Sequence, residues 1–231
     1  MINTPARPIA RPSQYSAILF DCDGVLVDSE PLTMRVLRDM LAQRGWDMPL
    51  RECMHIFVGK ATRDEPALIE ATTGQPFTQE WLHQFWAARD VALRAELQPI
   101  AGAAHIVQQA HAATNGRIAC VSGADRAKIA LQLGKTGLLP WFEGRIYSGH
   151  ETPRNKPHPD VYLAAMQGLQ VPPAQCLVLE DTLTGIRAAA AAGATTIAYR
   201  TPNNPLLTPE QLLQAGAVAV IGDVRELAQH W

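Results

Sequence analysis

No two of the four cysteines, Cys22, Cys53, Cys120 and Cys176, form a CxxC pair. The clustered Cys/His ligands of a structural zinc site are therefore lacking. Small buried hydrophobes in a reduced compartment are the expectation. There is no excess of basic charge either: 20 Lys and Arg stand against 22 Asp and Glu, a formal charge of −2. Without a global positive field the phosphate-neutralising part of nucleic-acid affinity is missing, and no nucleic-acid partner is expected. No apolar run approaches the ~20 residues needed to cross a bilayer, so no membrane partner is expected. Residues 1–15 carry Pro5, Pro8 and Pro12 and lack the apolar stretch of a secretory signal. Arg7 and Arg11 without an acid give a weak likeness to a transit peptide, but the prolines spoil an amphipathic helix. A flexible tail over 1–15, a cytoplasmic location and a monomer or weak dimer are expected. Apolar residues at 47% and charged residues at 18% of 231 exclude a mostly disordered chain.

The pattern changes twice along the chain. A short apolar run, Ser16 to Phe20, reads as a strand leading into Asp21. Residues 31–98 then read as helix after helix, with no convincing strand. Leu32, Val36, Leu37, Met40 and Leu41 share one helical face before Gly45. Asp64 to Thr73 forms a further helix closed by Gly74, and Thr78 caps another that ends before Pro99. Beyond Pro99 short apolar runs at 117–121, 145–147, 176–179, 195–199 and 218–221 alternate with helical segments. Thr208-Pro209-Glu210-Gln211 has the form of a capped helix start. That alternation means a parallel sheet covered on both faces. The expected architecture is an α/β, Rossmann-like, doubly wound core, residues 16–30 and 99–231, with an all-helical cap inserted at 31–98. Ligands of such sheets bind at the carboxyl ends of the strands.

Those ends are polar. The first carries Asp21-Cys22-Asp23-Gly24; two carboxylates leaving a buried strand need a cation or a proton to offset desolvation. The second carries Ser122-Gly123 at a helix start, where free N–H groups favour an anion. Lys156 stands among Pro157 and Pro159, and the run CLVL ends in Glu180-Asp181. Each residue alone has an ordinary explanation as a cap or a solvated charge. Together they supply oxygen ligands for a hard divalent cation, a nucleophilic carboxylate and an ammonium to complement a phosphoryl group. Gly134-Lys135-Thr136 lacks the earlier glycine of a P-loop and reads as a helix end.

These segments resemble the motifs of the haloacid dehalogenase superfamily, in particular its β-phosphoglucomutase-like phosphatases with a helical cap. DCDGVLVDSE is similar to the first motif, CVSGA to the second, KPHPDVY to the third and LEDTLTGIRAAAAAG to the fourth. The resemblance spans about residues 16–225. It implies that Asp21 is the nucleophile and Asp23 the general acid/base, with Ser122 and Lys156 holding the phosphoryl oxygens. It implies Mg²⁺ bound by the Asp21 carboxylate, the Asp23 carbonyl and Asp181 with help from Glu180. Substrate contacts are expected from Glu30, Gly59, Lys60 and Arg63 as well as Ser122, Gly123 and Lys156. The plainer alternative for Lys60 and Arg63 is a pair of solvated charges, Arg63 paired with Asp64 or Glu65.

The implied activity is hydrolysis of a small phosphorylated metabolite of the sugar or polyol class through an aspartyl-phosphate. Asp23 argues against the dehalogenases and phosphonate-cleaving members, which lack the second aspartate. Mutases of the family carry a histidine about ten residues after that aspartate; Thr33 stands there, and hydrolysis is preferred over isomerisation. A non-catalytic phosphometabolite-binding protein is the remaining reading, and the presence of Asp21 speaks against it.

Overall fold

The computed structural model describes residues 14–200 and 207–231. The expected tail therefore lies outside the described residues as far as residue 13. Its last two residues are attached to the fold: Gln14 Nε2 donates to the His230 carbonyl at 3.2 Å, and Tyr15 packs on the main apolar cluster.

The first strand, β1 (Ala17–Phe20), is fully buried, as an AILF run with apolar side chains on both faces should be. Then come α1 (Glu30–Ala42), α2 (Leu50–Phe57), α3 (Pro66–Thr73) and α4 (Gln79–Glu96) without an intervening strand. After these α5 (Ala103–Ala113) leads to β2 (Ile118–Ser122), α6 (Arg126–Lys135), β3 (Ile146–Ser148) and α7 (Asp160–Leu169). The chain ends with β4 (Cys176–Glu180), α8 (Leu183–Ala191), β5 (Thr195–Tyr199), α9 (Pro209–Gln214) and β6 (Ala219–Ile221). All pairings are parallel and the order is β3-β2-β1-β4-β5-β6. This is the expected doubly wound sheet, reversing its winding between β1 and β4. Among the described residues no helix is long and apolar enough to cross a membrane. All four cysteines are free and buried.

Local sequence explains the boundaries. Thr78 Oγ1 accepts from the Trp81 amide and opens α4; Thr208 and Gln211 form a reciprocal capping box at α9. The helix expected from Asp64 starts two residues later, because Pro66 is suited to a first helical turn and Thr62–Asp64 forms a separate 3₁₀ turn. Helix α2 was not delimited by the sequence patterns at all. Gly134-Lys135-Thr136 is the end of α6.

Helices α1 to α4 enclose their own apolar cluster, including Leu37, Leu41, Phe57, Trp81 and Phe85. Leu93 and Leu97, near the end of α4, join the sheet's cluster instead. The two connections between the helices and the sheet run side by side: the Asp28 amide donates to Gln98 O at 3.0 Å, and the Ile100 amide to Leu26 O at 3.0 Å.

Candidate active site

The carboxyl ends of β1, β2 and β4 converge at the switch point. Asp21 follows β1 directly and is 5% exposed. Lys156, from the loop before α7, reaches between strands. Its Nζ donates to Asp21 Oδ1 at 2.6 Å, to Glu180 Oε1 at 2.6 Å and to the Val121 carbonyl at 3.1 Å. Burial alone would favour a neutral amine, but the Asp21 and Glu180 carboxylates hold the Lys156 ammonium well above the usual lysine range. The Tyr162 ring stacks over that ammonium at 5.0 Å, and its hydroxyl donates to Glu180 Oε1 at 3.0 Å.

Glu180 is fully occupied by this network. Its Oε2 accepts from the amides of Asp181 and Thr182 at 2.9 and 3.1 Å and from the Thr182 hydroxyl at 3.1 Å. Glu180, expected to help Asp181 at the metal, orients Lys156 and the turn into α8 and also belongs to the acidic triad. Gly185 is needed against it, since an added Cβ would collide with the Glu180 carboxylate.

Asp181 is the opposite case. It is 2% exposed, yet neither carboxylate oxygen has a hydrogen-bond donor among the described residues. Burial pushes its carboxyl well above the usual range, and the neighbouring Glu30, Glu180 and Asp21 push the same way. Asp21 is raised to about 7, chiefly by burial, against the pull of Lys156. Gly24, at φ +77°, turns the chain where an added Cβ would strike Asp181 Oδ2. Asp21, Glu180 and Asp181 offer carboxylate oxygens within 4.8 Å of one another. Crowded, oxygen-only donors, those of Asp181 without a hydrogen-bond partner, suit a hard divalent cation.

Asp23, the expected general acid/base, is held by donors from Ser29 and from α6. Its Oδ1 accepts from Ser29 Oγ in a short bond, from Lys128 Nζ at 2.7 Å and from Gln132 Nε2 at 2.7 Å. Burial alone would raise its pKa, but Lys128 and these donors outweigh it and hold the carboxyl at about 2. Held this way, its carboxylate form is favoured. Ser122 is 1% exposed, and its Oγ accepts from the Ala124 amide at 3.1 Å.

A cavity of about 160 Å³ opens above these groups. Among the expected residues Asp21, Asp23, Glu30, Gly59, Lys60, Arg63, Ser122, Gly123 and Lys156 line it; Glu180 and Asp181 do not. Glu30 is held at about 8, chiefly by burial and by the charges of Asp23 and Asp21. Lys60 lies 3.5 Å from Glu65, and Arg63 3.5 Å from Asp64, so both expected cations have neighbouring partners as well as the cavity. The Gly59 carbonyl accepts from Thr184 Oγ1 at 2.9 Å and ties this loop to α8.

Sequence reasoning missed several residues. Lys128 and Gln132 stand at i and i+4 on the buried face of α6, where polar side chains interrupt an apolar stripe; that interruption was the available signal. Asn155 was also missed: its Nδ2 donates to Gly123 O at 2.9 Å, and its Oδ1 accepts from the Lys156 amide at 2.8 Å. His150 also lines the cavity, and burial followed by Arg63 lowers its pKa. Arg89 of α4 lies 2.8 Å from Asp90 and 3.4 Å from Asp125, whose other oxygen caps α6 through the Lys128 amide.

A doubly wound sheet with a helical insert, a buried aspartate–lysine pair and an acidic triad at its switch point define a class. Residues 15–193 match the family model described as haloacid dehalogenase-like hydrolase, and the chain belongs to that family. It is a hydrolase, and named relatives are phosphatases. It is 26% identical over 182 residues to 6-phosphogluconate phosphatase of Escherichia coli, covering 78% of this chain and 80% of the relative. It is 32% identical over 200 residues to a CBBY-like protein of Arabidopsis thaliana, covering 79% of this chain but only 62% of that protein. Among solved structures, a HAD family hydrolase from Deinococcus radiodurans with bound phosphate and sodium superposes with a TM-score of 0.75 at 32% identity, over 93% of each chain.

Proposed function

We propose that this protein is a Mg²⁺-dependent phosphatase of small phosphorylated metabolites, of the sugar or polyol class, acting through an aspartyl-phosphate on Asp21. The observation that carries this reading is the buried Asp21–Lys156 pair beside the donorless carboxylate of Asp181. The 6-phosphogluconate phosphatase and the phosphate-bound relative support the substrate class. Asp21, the Asp23 carbonyl and Asp181 would hold Mg²⁺, with Glu180 orienting the turn. The bound cation supplies positive charge against the phosphoryl oxygens.

Asp21 attacks phosphorus in line while Lys156 draws charge from the oxygens, offsetting the repulsion between anionic nucleophile and anionic ester. Ser122 and the free amides at the start of α6 take the remaining oxygens. Asp23 gives its proton to the leaving oxygen in the first step and, as the anion so formed, removes a proton from the water that opens the aspartyl-phosphate. Residues 31–98 act as a cap over the core of 16–30 and 99–231, presenting Lys60 and Arg63 to the leaving group, with Glu30 at the edge of the core beside them. Thr33, buried on the cavity wall and unable to relay protons as an imidazole does, favours hydrolysis over isomerisation. The enzyme is read as a cytoplasmic monomer or weak dimer.

A panel of phosphorylated metabolites assayed with Mg²⁺ and with a chelator tests this. Release of phosphate dependent on Mg²⁺ supports it. With β-glucose 1-phosphate, phosphorus NMR should show inorganic phosphate; glucose 6-phosphate accumulating in its place would restore the mutase.

A further inference from the structure

We infer that Lys128 of α6 is a positioning residue of this active site, holding Asp23 with one carboxylate oxygen locked and the other presented to the cavity. The inference rests on Asp23 having the role proposed above. All donors to Asp23 fall on Oδ1, namely Ser29, Lys128 and Gln132. Oδ2 accepts no hydrogen bond from the described residues, and Asp23 lines the cavity.

The donors are themselves fixed. Gln132 Oε1 accepts from Cys22 Sγ at 3.5 Å, which turns the amide so that its NH₂ faces Asp23. Lys128 sits in the first turn of α6, and its backbone amide is capped by Asp125 at 2.8 Å. Its side chain is 10% exposed. Lys128 and Gln132, four residues apart, project from one helical face onto one oxygen. Stability alone does not account for such a pair. Desolvating an ammonium and a carboxylate largely cancels their attraction, and an apolar pair of similar volume packs as well. A general acid/base, by contrast, must be held within a fraction of an ångström, and locking one oxygen achieves that.

The test is a double-mutant cycle of Lys128→Met and Asp23→Asn, with Lys128→Gln and Lys128→Arg as milder changes. Unchanged circular dichroism and melting confirm folding. Loss of a charge-assisted hydrogen bond should lower kcat on an alkyl phosphate by about ten- to a hundredfold. KM should stay within about threefold, because Lys128, although it lines the cavity, spends its charge on Asp23. Lys128→Arg should restore part of the loss. In the Asp23→Asn background Lys128→Met should cost little more, because the two act as a unit. An undiminished loss there would mean that Lys128 acts on the substrate itself, and would overturn the inference. A readout independent of turnover is the crystal structure of Lys128→Met: Asp23 displaced from Ser29 and Gln132 supports the inference, and Asp23 unmoved refutes it. Turnover of p-nitrophenyl phosphate by the parent protein, lost in Asp21→Asn, separately reports on the phosphatase reading.

Discussion

Replacing Asp21 by asparagine keeps the volume of the side chain and removes the attacking oxygen anion. Turnover should fall by several powers of ten while the melting temperature stays close to the parent's, the amide being a fair isostere at a buried site. Phosphate release within about tenfold of the parent would remove Asp21 from the nucleophile's role. Gly24→Ala acts at the same point by another route. It strains a backbone at φ +77° and drives a methyl group against Asp181 Oδ2. Loss of the Mg²⁺ response, read as the absence of a Mg²⁺-induced rise in melting temperature, is the expected result. The residues adjoining strand ends, Asp21, Ser122, Glu180 and Asp181, were legible because a strand's direction fixes where its next residue points. Lys128, Gln132, Asn155 and Tyr162 reach the site across long sequence separations and were not. Glu180 could be named as a site residue, but only the geometry distinguishes its saturated oxygens from the bare ones of Asp181.

The segment between α2 and α3 belongs to the scale of elements. It is anchored to α8 by the Thr184–Gly59 bond and carries Lys60 and Arg63 to the cavity wall. Both cations are weakly paired at 3.5 Å, Lys60 with the half-buried Glu65 and Arg63 with the exposed Asp64, pairs worth little by themselves, so their charge remains usable by a ligand. Lys60→Ala and Arg63→Ala should each lower kcat/KM for the physiological ester by about ten- to a hundredfold. The same changes should leave p-nitrophenyl phosphate nearly unaffected; uniformly small effects on both would transfer selectivity to other parts of the helical unit. The strands were legible to within a residue, since Cys176–Glu180 and Thr195–Tyr199 are short β-branched or apolar runs bounded by Gly and Pro. Helix α2 was not. Its eight residues, LRECMHIF, are too few to establish a period, and Pro49 opens it where a polar cap is usual.

Across the whole molecule, crowded carboxylates couple folding to pH. Asp21 is raised from 3.8 to about 7 and Glu30 from 4.5 to about 8, so the folded state binds more protons than the unfolded chain in between. The contribution of these two groups to the stability of the metal-free protein is therefore greatest below their unfolded pKa values and is lost as pH rises through about 7 to 8. Asp23, at about 2, is ionised in both states throughout this window and adds no slope. Mg²⁺ prefers the deprotonated acids, so the rise in melting temperature it produces should grow with pH. Melting curves at several pH values, with chelator and with Mg²⁺, check both statements; a flat profile in chelator would contradict the first. One carboxylate also serves two masters. Asp125 caps the first turn of α6 with one oxygen and receives Arg89 of α4 on the other. The start of α6 thereby acts as a strain gauge for the helical unit above it. Any displacement of α4 that withdraws Arg89 loosens the Asp125 side chain and exposes the Lys128 amide to solvent. Deuterium uptake at the beginning of α6 should rise in Arg89→Ala, so that the loss of one contact from α4 is recorded as hydrogen exchange in the layer below.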